Sequence, residues 1–129
     1  MKKKLLIALL CVIALGAAGV FGFGFFMTRG LEQLQNEPVA RVNLGLVADG
    51  TYDGRYTQGR FSNEVRVTVK YARITNIELL DSVLFERPEI AKELFERIIE
   101  SNDTAVDAVT GATVTSKAYQ KAIENALSN

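Results

Sequence analysis

The chain has 129 residues with 15 basic and 15 acidic side chains, no histidine, no tryptophan and one cysteine. The lack of histidine excludes serine or cysteine triads and histidine-bound metals, and a single cysteine excludes an intrachain disulfide, a CxxC pair and a four-cysteine metal site. What remains is carboxylate, hydroxyl or lysine chemistry, or an organic cofactor with its own reactivity. No metal site is expected, and the length accommodates one globular domain.

The first predicted element is an apolar helix. No charged residue occurs in the 23 positions from Leu5 to Met27, which follow three lysines at 2–4. A helix of that length spans roughly 35 Å, enough to cross a bilayer. The small residues at 16–18 would suit a cleaved signal peptide, but the apolar run continues past them and favours a retained anchor. Large leucines precede Cys11, which disfavours a lipoprotein signal.

Charge placement predicts the orientation of the chain. The lysines at 2–4 favour a cytoplasmic N-terminus, so residues from Thr28 onward are expected outside the cytoplasm. Without these lysines, 12 basic and 15 acidic residues remain, and a net charge of −3 argues against nucleic-acid binding. The predicted division is 1–27 for the basic tail and anchor, 28–47 for a linker or entry helix, and 48–129 for the domain. A flexible linker of this length would reach about 25 Å.

Three strands are predicted next. Residues 49–54 (DGTYDG) indicate a strand entered and left through Asp-Gly turns. The segment 64–71 alternates apolar and polar residues, which predicts a half-buried antiparallel strand with a core face of Val65, Val67, Val69 and Tyr71. A third strand over 74–83, with Ile77 and Leu79 facing the core, would form a hairpin with the second around Ala72-Arg73.

Two helices complete the predicted domain. Pro88 suits the first turn of a helix that ends near Glu100, whose core face comprises Ile90, Leu94, Ile98 and Ile99 and whose solvent face comprises Lys92, Glu93, Glu96 and Arg97. A second helix is predicted over 116–127. Strands followed by helices indicate an α+β fold, a small antiparallel sheet packed with helices and preceded by one transmembrane helix.

The segment between these helices, 107–116 (DAVTGATVTS), has the pattern of an anion site. A glycine in a hydroxyl-rich turn that opens a helix allows a ligand to approach unpaired N–H groups and the positive end of the helix dipole. The alternative is that Thr113, Thr115 or Ser116 only cap the helix. The spacing is neither that of a Walker loop nor that of a dinucleotide-binding glycine motif.

The run D-x-x-T-G-A-T-x-T-S from Asp107 to Ser116 resembles the motif of the FMN-binding domain family. This family includes the C subunit of sodium-pumping NADH:quinone reductases, the G subunit of Rnf-type complexes and membrane-anchored extracellular flavoproteins of Gram-positive bacteria. Residues 49–54, the valine-rich strand and the last helix resemble family features in the same order.

The resemblance implies that a flavin transferase moves FMN from FAD onto the Thr113 hydroxyl and forms a phosphoester. The FMN-binding residues that it implies are Thr113 for the covalent bond, with Asp107, Thr110, Gly111, Ala112, Val114, Thr115, Ser116 and Glu86. One position departs from the family pattern, because Glu86-Arg87-Pro88-Glu89 stands where the family often has Glu-Thr-Pro-Gly. Arg87 is interpreted as a solvent-facing residue at the start of a helix, and pairing with the flavin or its phosphate is the alternative.

The resulting hypothesis is a single-pass protein of the bacterial plasma membrane whose extracytoplasmic domain carries covalent FMN. It would transfer electrons between a membrane quinone-linked donor and an outside acceptor. One alternative is an FMN-carrying subunit of a larger membrane oxidoreductase complex, and another is an unflavinylated binding or sensor module. The missing histidine and the lack of a nicotinamide motif favour an electron carrier or redox subunit over a stand-alone enzyme.

Overall fold

A computed structural model describes residues 1–28, 31–36, 38–84 and 86–128, so positions 29, 30 and 37 of the predicted linker lie outside it, as do 85 and 129. The elements are α1 (Lys2–Thr28), α2 (Leu31–Asn36), β1 (Gly50–Tyr56), β2 (Asn63–Lys70), β3 (Arg73–Asp81), α3 (Pro88–Ser101) and α4 (Thr113–Ser128). Short 3-10 turns occupy Leu44–Leu46 and Gly59–Phe61. The strands form an antiparallel sheet in the order β1-β2-β3, which confirms the predicted α+β class.

Helix α1 is apolar and exposed to solvent along its length, with no buried residue. It is long and apolar enough to cross a membrane, judged by length and composition alone. Burying these side chains in hydrocarbon removes the cost of exposing them to water. The predicted apolar helix is present, and it begins at Lys2.

The core lies between the sheet and helices α3 and α4. In β2, Val65, Val67 and Val69 are at most 1% exposed, while the residues between them are partly exposed. Tyr119 and Ile123 of α4 join the same core, as does the predicted apolar face of α3, in which Ile90, Leu94 and Ile98 are buried and Ile99 is partly buried. The predicted core faces are confirmed for α3 and for β2 as far as Val69, because each element buries one face.

The predicted turn at Asp53-Gly54 is wrong. Strand β1 continues through both residues, with Asp53 paired to Arg66 and Gly54 paired to Val65. A β-carbon built on Gly54 would overlap the Ala122 carbonyl oxygen and would lie 2.6 Å from the Ala126 β-carbon. Glycine is needed here because α4 packs directly on the strand, and not because the chain turns.

The predicted position of the β2–β3 turn is also wrong, by one residue. Tyr71 and Ala72 form the turn, both in left-handed conformation with φ of 52° and 60°. Tyr71 is 80% exposed, so it does not belong to the core face of β2. Two consecutive positive φ values are typical of the tight hairpin turn whose twist matches that of the strands.

Candidate functional site

A tight turn precedes α4 at the predicted motif. The Ala112 N–H donates to the Val109 carbonyl oxygen at 2.9 Å, which closes a four-residue turn. Gly111 is its third residue and has a φ of +79°. Glycine adopts this left-handed conformation without the steric cost that a β-carbon brings. The turn therefore favours a glycine at position 111.

Helix α4 starts at Thr113, three residues before the predicted start. The Ser116 N–H donates to the Ala112 carbonyl oxygen at 2.9 Å, so Ala112 stands at the N-cap position. The capping interpretation is wrong for Thr113, Thr115 and Ser116, because all three lie inside the helix. An alanine at the cap offers no side-chain acceptor, and the N–H groups of the first helical turn have no partner within the helix.

Ser116 binds the motif turn from the interior of the domain. Its side chain is fully buried, and its hydroxyl oxygen accepts the Val109 N–H at 3.1 Å. This bond joins the first turn of α4 to the residue that begins the motif turn. Ser116 therefore positions the turn from the interior of the domain.

The other predicted site residues lie at or near the surface. Exposed are Thr113, Thr110, Gly111, Asp107 and Glu86; partly exposed are Ala112, Val114 and Thr115. A β-carbon built on Gly111 meets no heavy atom within 4 Å, so the space beside the turn is open. The Thr113 hydroxyl is thus available to a macromolecule or a ligand that approaches from solvent.

Arg97 is a residue of this site that the sequence reading missed. Its guanidinium donates to the carbonyl oxygens of Asp107 at 3.2 Å and Ala108 at 3.4 Å, and it pairs with Glu93 at 2.5 Å. Helical periodicity assigned Arg97 to the solvent face of α3, and no sequence signal connects it with a loop ten residues away. Its contacts hold the segment that leads into the motif.

A buried glutamine holds the same segment from the other side. The Gln120 side chain is 2% exposed and donates to the carbonyl oxygens of Thr104 at 3.2 Å and Val106 at 2.8 Å. Since an unpaired buried amide is costly, these bonds stabilise the path of the loop. The loop between α3 and α4 is therefore held by side chains from both helices.

Positive potential converges on Thr113. The N-terminus of α4 has the positive end of the helix dipole, and Lys117 lies one helical turn after Thr113 on the same face. The Lys117 ammonium donates to the Gln35 carbonyl oxygen at 2.8 Å. A negatively charged ester on Thr113 would therefore be stabilised by the backbone and by a neighbouring cation.

Glu86 is exposed, and its carboxylate acts on Tyr119 of α4 through its charge. Burial raises the pKa of the Tyr119 hydroxyl, the hydrogen bond with Ser82 at 3.1 Å opposes this shift, and the Glu86 carboxylate adds to it. Tyr119 is six residues after Thr113, about 9 Å along the helix axis. The Glu86 carboxylate is therefore within electrostatic range of α4.

Arg87 follows the solvent interpretation. It is exposed and forms an ion pair with Glu89, with 3.4 Å between Nε and Oε1. It occupies the N-cap position of α3 without a side-chain capping bond. A surface ion pair of this kind contributes little to stability.

Two clefts border the motif. One, of about 560 Å³, lies between Arg97, Glu100, Val106 and Asp107. The other, of about 270 Å³, is lined by Val39, residues 105–108, Lys117 and Gln120. Asp107 borders both clefts, and Thr113 lines neither of them. A third cleft of about 570 Å³, near Arg41 and Asn102, contains none of the predicted site residues.

The arrangement fits a phosphoester better than it fits self-sufficient catalysis. A threonine hydroxyl is a weak nucleophile without an activating base, so its modification needs a separate enzyme. Once formed, a phosphodiester at Thr113 would meet the unpaired N–H groups of the first turn of α4. The residues present can therefore hold FMN through its phosphate, and FMN would supply the redox chemistry.

No curated protein and no solved structure matches the chain significantly. Residues 61–128, from the 3-10 turn before β2 to the end of α4, match the family model of the FMN-binding domain. The match contains the whole motif and begins after residues 49–54. Because it covers more than half of the sequence, the chain belongs to the FMN-binding domain family.

Proposed function

We propose that this protein is a membrane-anchored flavoprotein that carries FMN as a phosphoester on Thr113 and transfers electrons. The observation that supports the proposal most strongly is the exposed Thr113 hydroxyl on the first residue of α4, beside the open space at Gly111. Membership of the FMN-binding domain family supports the cofactor. Helix α1 supports the anchor, with its lysines in the cytoplasm and the domain outside the plasma membrane of a bacterium.

The attachment step needs a flavin transferase and FAD. The Thr113 hydroxyl oxygen forms a bond to the phosphorus of the FMN half of FAD, the bond to the second phosphate breaks, and AMP departs. The threonine proton passes to a base of the transferase. The product is a phosphodiester with one negative charge, which the N-terminus of α4 stabilises by about 0.3–1 kcal/mol at an exposed site.

Covalent attachment suits a domain outside the cytoplasm, since a freely dissociating flavin would be lost by dilution. In the proposed function, the domain receives electrons from a membrane quinone-linked donor and passes them to an outside acceptor. The flavin ring supplies the redox step, and the protein sets its position and surroundings.

Intact mass tests the attachment. The full chain, coexpressed with a flavin transferase, is expected to gain the mass of one FMN minus water. Thr113→Ala is expected to show no gain, while Thr51→Ala, which removes an exposed threonine of β1 that pairs with Thr68, keeps it. Peptide mapping assigns the modified residue among Thr110, Thr113 and Thr115. An unmodified wild type under these conditions, or a modified Thr113→Ala variant, would overturn the proposal.

Purification in detergent separates a mobile carrier from a subunit. A flavinylated monomer supports the carrier, and a stable stoichiometric complex with membrane oxidoreductase subunits supports the alternative in which the same flavin serves a larger assembly. Absorbance at flavin wavelengths tests electron transfer directly. It should fall when a quinone-linked donor in membranes reduces the bound flavin, and it should recover when the flavin is reoxidised.

A further inference from the structure

Helix α2 packs against the first turns of α4. Leu34 is fully buried in a small cluster with Phe61 and Ala118, and Val114 packs against the same cluster. The Lys117 ammonium donates to the Gln35 carbonyl oxygen at 2.8 Å. Val114 directly follows Thr113, so the linker lies beside the residue proposed to carry the flavin.

The connection between the helices keeps this contact close to the end of α1. Two residues separate Thr28, the last of α1, from Leu31, the first of α2, so their α-carbons lie within about 11 Å. Adding about 5 Å along α2 to Leu34, about 10 Å between packed helices and about 4 Å from Val114 to Thr113 places Thr113 within about 30 Å of Thr28.

A second contact joins the end of α1 to the same side of the domain. The Arg60 guanidinium donates to the Met27 carbonyl oxygen at 2.9 Å. The Arg60 carbonyl oxygen in turn accepts the Leu84 N–H at 2.9 Å, which ties in the segment that leads to Glu86. The anchor end, the Thr113 turn and the segment before Glu86 therefore lie at one end of the domain.

The length of strand β2 gives the distance between the two ends of the domain. Asn63, at its start, donates to the Phe61 and Ala118 carbonyl oxygens at 3.1 Å, so it belongs to the end that carries α2. At about 3.3 Å per residue, the Tyr71–Ala72 turn lies about 25 Å farther away. The domain thus has a near end and a far end relative to the anchor.

We propose that α2 is a docked strut that holds the Thr113 turn at the membrane-facing end of the domain. The electron donor of this site would then be a molecule held in or on the membrane, which meets the Thr113 turn at the bilayer surface. A flexible spacer would leave the domain free to rotate, whereas the buried Leu34 and the bond from Lys117 to Gln35 oppose rotation. This inference rests on the proposed function only in that α1 spans the membrane.

Fluorescence quenching in nanodiscs tests the orientation with the full chain. A Cys11→Ser background allows one fluorophore at Thr113→Cys or, as the matched far-end position, at Ala72→Cys. Lipids with a spin label on the headgroup should quench the fluorophore at position 113 strongly and the one at position 72 weakly. Equal quenching of the two fluorophores would overturn the proposal.

Two changes test the strut itself. Leu34→Asp should release α2 and reduce quenching at position 113, while Leu46→Asp, at a leucine that is 85% exposed, should leave it unchanged. Inserting about twelve Gly/Ser residues between Thr28 and Leu31 adds about 20 Å of flexible reach and leaves the α2–α4 contacts in place. This insertion should also reduce quenching, even if Leu34→Asp fails to fold, and unchanged quenching after it would contradict the proposal.

The experiment is independent of flavin attachment, because the fluorophore replaces the Thr113 side chain. If the protein gains no FMN but the fluorophore at position 113 is strongly quenched, this inference stands and the proposed function is overturned. If the wild type is flavinylated but the fluorophores at positions 72 and 113 are quenched equally, the proposed function stands and this inference is overturned.

Discussion

Two glycines in this domain are required for opposite reasons. Gly54 lies in extended strand β1 under α4, where any side chain would overlap helix backbone. Gly111 lies in open space and is required because its φ is +79°. The first constraint arises from packing between elements, and the second arises from the local path of the chain.

Gly54→Ala should therefore lower the free energy of unfolding by about 3 kcal/mol, the upper end of the usual overpacking cost, because the obstacles are backbone atoms of α4. Gly111→Ala should lower the free energy of unfolding by about 1–2 kcal/mol, since the left-handed conformation is unfavourable for alanine and no neighbouring atom is in the way. Urea denaturation of the two variants in detergent measures both values. Equal costs would contradict the distinction between packing and conformation.

At the scale of elements, the β2–β3 hairpin contains residues poorly suited to its turn. Ala72 adopts a φ of 60°, which is unfavourable for a residue with a β-carbon. Its carbonyl oxygen accepts a hydrogen bond from Asn102 at 3.0 Å, which ties the turn to the end of α3. The hairpin is thus held in place by tertiary contacts as well as by its own sequence.

Ala72→Gly should stabilise the domain by about 0.5–1 kcal/mol, because the relief of strain exceeds the added entropy of the unfolded chain. The backbone carbonyl that binds Asn102 is kept. Ala72→Val should destabilise the domain, since a β-branched residue tolerates positive φ least. Thermal unfolding of the three proteins checks the order Gly, Ala, Val.

The link between α3 and the motif loop predicts an effect on flavin attachment. Arg97→Ala removes both hydrogen bonds to the Asp107 and Ala108 carbonyl oxygens, so the loop should open more often and the rate of modification should fall about tenfold, equivalent to about 1.4 kcal/mol. Glu96→Ala, an exposed change on the same helix, should not alter the rate. Time-resolved intact mass with purified transferase and FAD measures it.

Loss of stability alone would slow modification of Arg97→Ala only in proportion to its unfolded fraction. Modification should therefore be measured at a temperature at which far-ultraviolet circular dichroism shows both variants folded. An unchanged rate in Arg97→Ala under those conditions would mean that Arg97 does not position the loop.

At the scale of the whole molecule, stability should fall at alkaline pH through Tyr119. Burial raises the pKa of this hydroxyl above its ordinary value of 10.0. Below that pH the tyrosine is neutral in both states, and above it the unfolded chain releases the proton first, so unfolding becomes more favourable as pH rises toward the folded-state pKa. The effect is absent at neutral pH.

Tyr119→Phe removes this titration, so its stability should decline less than that of wild type as the pH is raised above about 10. Tyr71→Phe, at a tyrosine that is 80% exposed, should leave the pH dependence unchanged. Denaturant midpoints measured across this range give the comparison. Parallel pH curves for wild type and Tyr119→Phe would contradict the assignment.

The sequence alone determined the features that depend on local pattern. A 23-residue uncharged run requires an apolar environment, the alternation of Val65, Val67 and Val69 requires one buried face, and Pro88 begins the helix that its apolar period continues. The motif from Asp107 to Ser116 identified the family and the turn, because its residues are contiguous. These properties arise from neighbours in the chain, so they can be read without the fold.

Only the tertiary structure decided what lies across from each residue. It made Gly54 a packing position where an Asp-Gly pair had predicted a turn, and it buried Ser116 under the motif while leaving Thr113 exposed. It brought Arg97 to the motif loop and Leu34 to the start of α4. Each of these contacts joins segments distant in sequence, and the packing energy that selects them has no counterpart in local periodicity.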